Sequence, residues 1–240
     1  MDFAIIAAGE GSRLAKSGYP YPKPLAELQG RPLIERLTAI FTTYGAGTIH
    51  IIINEESASL AAYLKSQLAD RPIRIVRQTT PSSLHSFYEL IKGETNLNEL
   101  CATTVDTIFK VEVFEAYLNT FQTNKALDAL MAVTPYVEDE SPLYVAVNDE
   151  NDITAFADQK PETGQILVSG GIYALRKQAL QCVTQAIDQG KVRMRNYQRL
   201  LLEKQLNVKA FVFDKIIDID HMADLEAAEA WLAEENCLNR

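Results

Sequence analysis

Cysteine is scarce: three among 240 residues, Cys101, Cys182 and Cys237, odd in number, widely spaced and without a Cys-x-x-Cys pair. That excludes a disulfide framework and a cysteine-based zinc site, and leaves three small hydrophobes of a reducing compartment. Basic charge is also in short supply, with 23 Lys and Arg against 32 Asp and Glu and a net charge of −9. A nucleic-acid partner, which needs a basic face, is therefore not expected, and any bound phosphate must be held by a local cluster. No apolar run approaches the length of a membrane span. The N-terminal apolar segment is too short for a secretion signal and follows Asp2 where positive charge would be needed. A soluble cytoplasmic protein with no membrane partner is expected. Repeats, low-complexity tracts and linkers are missing too, so the chain reads as one domain. Two familiar phosphate loops are absent as well. No Gly-Lys-Ser/Thr occurs, and Leu14 stands where the dinucleotide fingerprint needs a third small residue.

What is present begins at the N-terminus. The apolar run 3–8 empties into Gly9, Glu10, Gly11, Ser12 and Arg13, and Lys23 follows in a Tyr-Pro-Lys-Pro segment. A buried strand opening onto a glycine turn predicts backbone N–H groups, from Ala8 through Ser12, directed at an anion. A Cβ at either glycine is expected to obstruct that turn. Arg13 can fork onto phosphate oxygens and Lys23 can supply a point charge. The segment points to a nucleoside triphosphate.

Beyond it, strand-like runs alternate with helix-period segments, the pattern of a mainly parallel α/β sheet covered on both faces. Strands are expected at 3–7, 48–53, 73–77, 100–105, 129–134 and 207–213, and a strand ending at 169–173. Helices are expected over 32–44, 57–68, 82–92, 111–123, 177–189, 197–205 and 222–234. Residues 143–156 alternate around Asn148, Asp149 and Glu150 and predict a small antiparallel insertion forming the acceptor side of a cleft. Within a single Rossmann-like domain spanning 1–240, residues 1–110 form the expected nucleotide-binding half and 111–240 the acceptor half. The span beyond the last expected helix leaves no room for an appended acyltransferase domain.

Asp106 follows the strand at 100–105, at the carboxyl edge where ligands of open α/β sheets bind. Asp218 and Asp220, two apart on a strand, are expected to point the same way. Together these carboxylates suit one Mg2+ held jointly with phosphate oxygens and water. Helix capping is the competing role for Asp220 and Asp106. His50, His85 and Trp231 read as packing or surface residues. Arg193 and Arg195 form a small basic cluster in a loop flanking a helix, in reach of an anionic acceptor.

The glycine turn with Arg13, Lys23 and Pro24 resembles the signature of sugar-phosphate nucleotidyltransferases, and the resemblance continues in order along the chain. Gln78, Thr79, Thr80, Pro81, Ser82 and Ser83 are similar to the family's base-reading segment; Val105-Asp106-Thr107-Ile108-Phe109 is similar to its Gly-Asp-Asn-Ile-Phe. Gln159-Lys160-Pro161 resembles Glu-Lys-Pro, Gly170-Gly171-Ile172-Tyr173 resembles Ala-Gly-Ile-Tyr, and Asp218-Ile219-Asp220 resembles the second metal segment. The resemblance implies transfer of a nucleoside monophosphate to a sugar 1-phosphate with release of pyrophosphate. It also implies Mg2+ on Asp106 with Asp218 or Asp220, nucleotide contacts at Gln78 and Ser83, and acceptor contacts at Lys160 and Gly171. The sequence departs from the pattern at Ser83, Val105 and Gln159, so base and acceptor stay open, as does a homo-oligomer. Short relatives that activate phosphocholine with cytidine triphosphate share the Asp-Ile-Asp ending. A glycosyltransferase-like protein is the other class, but Thr104 stands where its Asp-x-Asp motif needs an acid.

Overall fold

Along the first strand, Phe3, Ile5 and Ala7 face one apolar cluster while Ala4, Ile6 and Ala8 face another, and all six are buried. A strand apolar on both faces belongs in the middle of a sheet covered by helices on each side. That is its place in the computed structural model, which describes residues 1–137, 140–162 and 164–238, with side chains through residue 234.

In chain order the strands are β1 (Asp2–Ala7), β2 (Glu27–Leu28), β3 (Arg31–Pro32), β4 (Ile49–Ile53), β5 (Ile73–Arg77), β6 (Glu99–Thr104) and β7 (Thr107–Ile108). They continue with β8 (Ala129–Thr134), β9 (Tyr144–Val147), β10 (Ile153–Ala157), β11 (Val168–Arg176), β12 (Val208–Val212) and β13 (Ile217–Asp218). The helices are α1 (Ser12–Lys16), α2 (Leu33–Thr43), α3 (Ala58–Gln67), α4 (Ser83–Ile91), α5 (Val111–Thr123), α6 (Lys177–Asp188), α7 (Met194–Glu203) and α8 (Met222–Leu238).

The central sheet is mostly parallel. β5, β4, β1 and β6 form its parallel half; β11 runs against β6, β8 runs against β11, and β12 closes the far edge parallel to β8. Helices α2, α3, α5 and α8 cover one face with Leu37, Phe41, Leu64, Phe114 and Tyr117; α4, α6 and α7 cover the other with Phe87, Val183 and Tyr197. The result is a single α/β domain of Rossmann-like design. The antiparallel insertion is β9–β10, joined at its turn by Asn148 accepting from the amides of Glu150 and Asp152.

Three expectations are corrected. The strand expected to end at 169–173 instead begins at Val168 and runs to Arg176, with a register shift against β8 between Ser169 and Tyr173. Gly170 and Gly171 mark a bulge, not a stop. Helix α7 starts at Met194, so Arg195 lies in its first turn and not in a flanking loop. Asp220 is off the strand, because β13 ends at Asp218. Cys101 and Cys182 are buried free thiols, whereas the side chain of Cys237 lies outside the described residues. His50 is buried against Asp2, its Nε2 3.1 Å from the carboxylate. No helix among the described residues is long and apolar enough to cross a membrane.

Candidate active site

β1 ends at Ala7 and the chain turns through residues 8–11 into α1. Gly11 has φ +60°, and a Cβ there would lie 2.8 Å from the Cβ of Lys23, so glycine is required both by conformation and by space. Gly9 differs from expectation: a Cβ on it would meet nothing within 4 Å. Among the described residues, the amides of Gly9, Glu10, Gly11 and Ser12 find no acceptor, which leaves four N–H donors for an anion. Lys23 opens a one-turn 3-10 segment with Pro24 and Leu25, held by the Leu25 amide donating to the Pro22 carbonyl at 2.8 Å. The turn, Lys23, Thr79, Pro81 and Ser83 border a cavity of about 430 Å³.

The carboxylates come from distant parts of the chain. Asp106 sits in the turn between β6 and β7. The two-residue ladder of β7 with β13 sets Asp218 opposite Thr107, and the Ile219 amide donates to the Asp106 carbonyl at 3.1 Å. Asp220 then faces the glycine turn. Its carboxylate accepts from Arg13 at 2.5 Å and from the Lys23 ammonium at 2.9 Å, and the same ammonium pairs with Asp106. Capping is not its role: the carboxylate that accepts the Asp220 and His221 amides, at 2.8 and 2.6 Å, is that of Asp224 in the first turn of α8. Behind Asp106, Phe109 stacks near Phe114 with ring centroids 4.7 Å apart, and its carbonyl accepts from Arg36 on α2. Val105, where the resembling family has glycine, is simply buried core.

Charge is concentrated at this floor. Burial alone would lower the Lys23 pKa, but its pairing with Asp106 and Asp220 outweighs that, and the pKa is raised. Asp218 keeps an open edge on the cleft yet is crowded by protein on its other sides. That burial, and then the Asp106 charge, raise its pKa, against a hydrogen bond from Thr107. A carboxylate repelled by its neighbour marks an excess of negative charge suited to a cation. Among the described residues no three acidic, histidine or cysteine groups are arranged to hold a metal by themselves. The donor set of Asp106, Asp218 and Asp220 does fit a hard cation completed by phosphate oxygens and water.

The remaining candidates are spread along the cleft. Ser83 lines both the nucleotide-sized cavity and an adjoining hydroxyl-rich cavity with Ser169, Tyr173, Gly171 and Asp218. Gly171 has φ +74°, and a Cβ on it would come within 3.2 Å of Thr107 Oγ1. Gln78 only extends β5, its amide donating to the Ile53 carbonyl, and it does not line the nucleotide-sized cavity. Lys160 lines a third cavity with Arg193, Arg195 and Arg199, apart from Asp106 and Lys23. Two wall residues escaped sequence reasoning. Asn54 and Ser86 line the nucleotide-sized cavity, and a polar residue directly after an all-isoleucine strand end was the signal for Asn54.

A glycine turn of free amides with two cations, facing paired acids at the carboxyl edge of a parallel sheet, defines a protein that handles nucleoside triphosphates. The chain belongs to the family of the MobA-like NTP transferase domain, whose model matches residues 3–195, and it is a nucleotidyltransferase. It is 22% identical over 98% of its length to a UTP–glucose-1-phosphate uridylyltransferase of Haloferax volcanii, 98% of which is covered. It is 23% identical to a D-glycero-alpha-D-manno-heptose 1-phosphate guanylyltransferase of Campylobacter jejuni, over 91% of this chain and 94% of that protein. A solved structure from Bacillus anthracis, assigned as a glucose-1-phosphate thymidylyltransferase, superposes with a TM-score of 0.80 at 18% identity, covering 96% of this chain and 94% of the other.

Proposed function

We propose that the protein transfers a nucleoside monophosphate from a nucleoside triphosphate to the phosphate of a sugar 1-phosphate or a similar acceptor. The observation that carries this reading is the Lys23 ammonium joined to Asp106 and Asp220 beneath a turn of four unused amides. An acceptor phosphate oxygen bonds to the α-phosphorus as the bond to the bridging oxygen breaks, and pyrophosphate leaves with the electron pair. The acceptor is already nucleophilic, so positioning and charge neutralisation supply the rate. The amides of Gly9, Glu10, Gly11 and Ser12, with Arg13, hold the outer phosphates. Lys23 neutralises charge at the α-phosphate. Ser83 and the preceding segment from Thr79 to Ser82, without Gln78, contact the nucleoside, while Lys160 and Gly171 belong to the acceptor side.

Mg2+, when bound by Asp106 with Asp218 or Asp220, would supply further neutralisation of donor oxygens. The sugar-phosphate acceptor is supported by the names of the two relatives, both sugar 1-phosphate enzymes; their bases differ, so the donor base is an open part of the test. Pyrophosphate release from each of the common nucleoside triphosphates against a panel of sugar 1-phosphates and phosphocholine tests the reading. Release that depends on one triphosphate, one acceptor and Mg2+ is expected. Tight binding of a finished nucleoside diphosphate sugar, with no pair reacting, would overturn it.

A further inference from the structure

Arg36, on α2, is a half-buried arginine with no carboxylate paired to it among the described residues. Its Nη2 donates to the Phe109 carbonyl at 2.8 Å, and its guanidinium carbon stands 5.6 Å from the centroid of the Phe109 ring. Its Nη1 is enclosed and has no hydrogen-bond partner. Burial, and then the Arg31 charge, lower its pKa to about 10, so at neutral pH it stays cationic without a counter-charge. A cation in that position is costly, because its water is lost and one of its donors is left unmade. An apolar side chain of similar length would fill the space without that cost. Packing alone therefore does not account for an arginine here.

What the guanidinium grips supplies the reason. Phe109 directly follows β7, a strand of two residues whose partner, β13, is equally short. So small a ladder has little stability of its own. Yet it carries the acids of the cleft: Asp106 precedes β7, Asp218 ends β13, and the Ile219 amide reaches back to the Asp106 carbonyl at 3.1 Å. At the near end of β7 the Thr107 hydroxyl lies 2.7 Å from that of Thr104 on β6. At the far end the Phe109 ring packs against Phe114 and Phe213, with centroids 4.7 and 6.4 Å away, and its carbonyl is held by Arg36. The helix behind that grip is firm, since Leu33, Ile34, Leu37 and Phe41 of α2 are all buried. A hydrogen bond from a charged donor is about twice as strong as a neutral one, which suits it to fixing a marginal strand.

We propose that Arg36 is a positioning residue: by gripping the Phe109 backbone it holds β7 in register against β13, so that Asp106 and Asp218 keep the spacing a divalent cation needs, at a cost in stability. Arg36 does not line the nucleotide-sized cavity, so it acts on the acids through Phe109 and the ladder and touches no substrate there. The part given to those acids rests on the transferase reading, whereas the grip on the ladder does not. Retaining a costly polar group where its effect is felt at the site is the usual exchange of stability for function.

Hydrogen–deuterium exchange on the whole metal-free protein tests this with Arg36→Met. Amides of residues 107–109 and 217–219 should exchange roughly tenfold faster than in wild type, as for a local opening, while those of α2, β1 and β4 keep their rates. The melting temperature should stay level or rise, because an unpartnered buried cation has been removed. Arg36→Lys, which keeps a charged donor, should recover part of the protection. In pyrophosphate release the Mg2+ concentration for half-maximal rate should increase severalfold in Arg36→Met, with the KM for the triphosphate nearly unchanged because the glycine turn is untouched. Unaltered exchange at the ladder would overturn the proposal. So would faster exchange throughout with a lower melting temperature, which would make Arg36 an ordinary packing residue. A wild-type protein that releases no pyrophosphate, beside a loosened ladder in Arg36→Met, would refute the transferase reading and leave the grip on the ladder standing.

Discussion

The Lys23 ammonium donates to Asp220 at 2.9 Å while pairing with Asp106, so one cation from the glycine-turn side neutralises two acids from the far side of the cleft. On the proposed reading, a divalent cation held by Asp106 and Asp220 would need oxygens that Lys23 pairs with, so cation and triphosphate should bind best together. A Lys23→Met protein should bind Mg2+ alone about tenfold more tightly than wild type in calorimetry, while its turnover, read as pyrophosphate release, falls on the order of 10² to 10³. Full turnover in a well-folded Lys23→Met protein would refute the role given to this lysine.

Gly11 and Gly9 should respond differently to alanine. At Gly11 the positive φ and the 2.8 Å approach to Lys23 both oppose a Cβ, so Gly11→Ala is expected to cost about 1 kcal/mol or more in denaturant melts and to displace Lys23. Gly9→Ala meets open space, so its melt should stay within about 0.5 kcal/mol of wild type. Its effect should appear in nucleotide affinity instead, since Gly9 lines the nucleotide-sized cavity.

The elevated pKa of Asp218 has a defined consequence for stability. An acid that binds its proton more tightly when folded stabilises the fold fully below its ordinary pKa of 3.8, and that stabilisation is lost as pH rises through the higher folded-state value. Metal-free wild-type protein should therefore lose stability as pH climbs across that interval. Asp218→Asn should flatten the slope and be the more stable protein at its upper end. Parallel melts of the two proteins across a pH series check this, and identical slopes would dismiss a raised pKa at Asp218.

Asp224 holds the turn that presents Asp220. Replacing it by alanine removes the acceptor for two amides at the start of α8 and is expected to cost about 1 kcal/mol in melts. Because Asp220 is thereby freed from its fixed approach to Arg13 and Lys23, turnover should fall too, by less than in Lys23→Met. Asp224→Asn, which keeps an acceptor oxygen, should recover most of both losses.

Local pattern made the parallel half legible. The all-apolar β1 and β4 announce strands buried on both faces, and the glycine turn followed by Arg13 announces an anion site before any contact is known. The hairpin β9–β10 showed itself through alternation around Asn148. Elements held only by distant partners were not legible. β7 and β13 are two residues each and owe their existence to one another, so no window of sequence signals that Asp218 pairs opposite Thr107. Gly170 and Gly171 look like punctuation locally, whereas in the sheet they form a bulge that β8 pairs with on either side, so the strand continues past them. Arg195 reads as an exposed basic residue until Asp158, brought near by the insertion, fixes it in place.

The short ladder between β7 and β13 also sets an order of assembly. The glycine turn, Lys23 and Asp106 all lie in the first half of the chain, but Arg13 and Lys23 reach their shared acid across 207 and 197 residues. A growing chain can therefore complete its phosphate cradle, with Asp106 beside it, long before it owns the Asp220 carboxylate that Arg13 and Lys23 share. During that interval the cradle is an uncompensated pair of cations beside a single acid, and the site acquires its working charge only when the last strand has been made and docked.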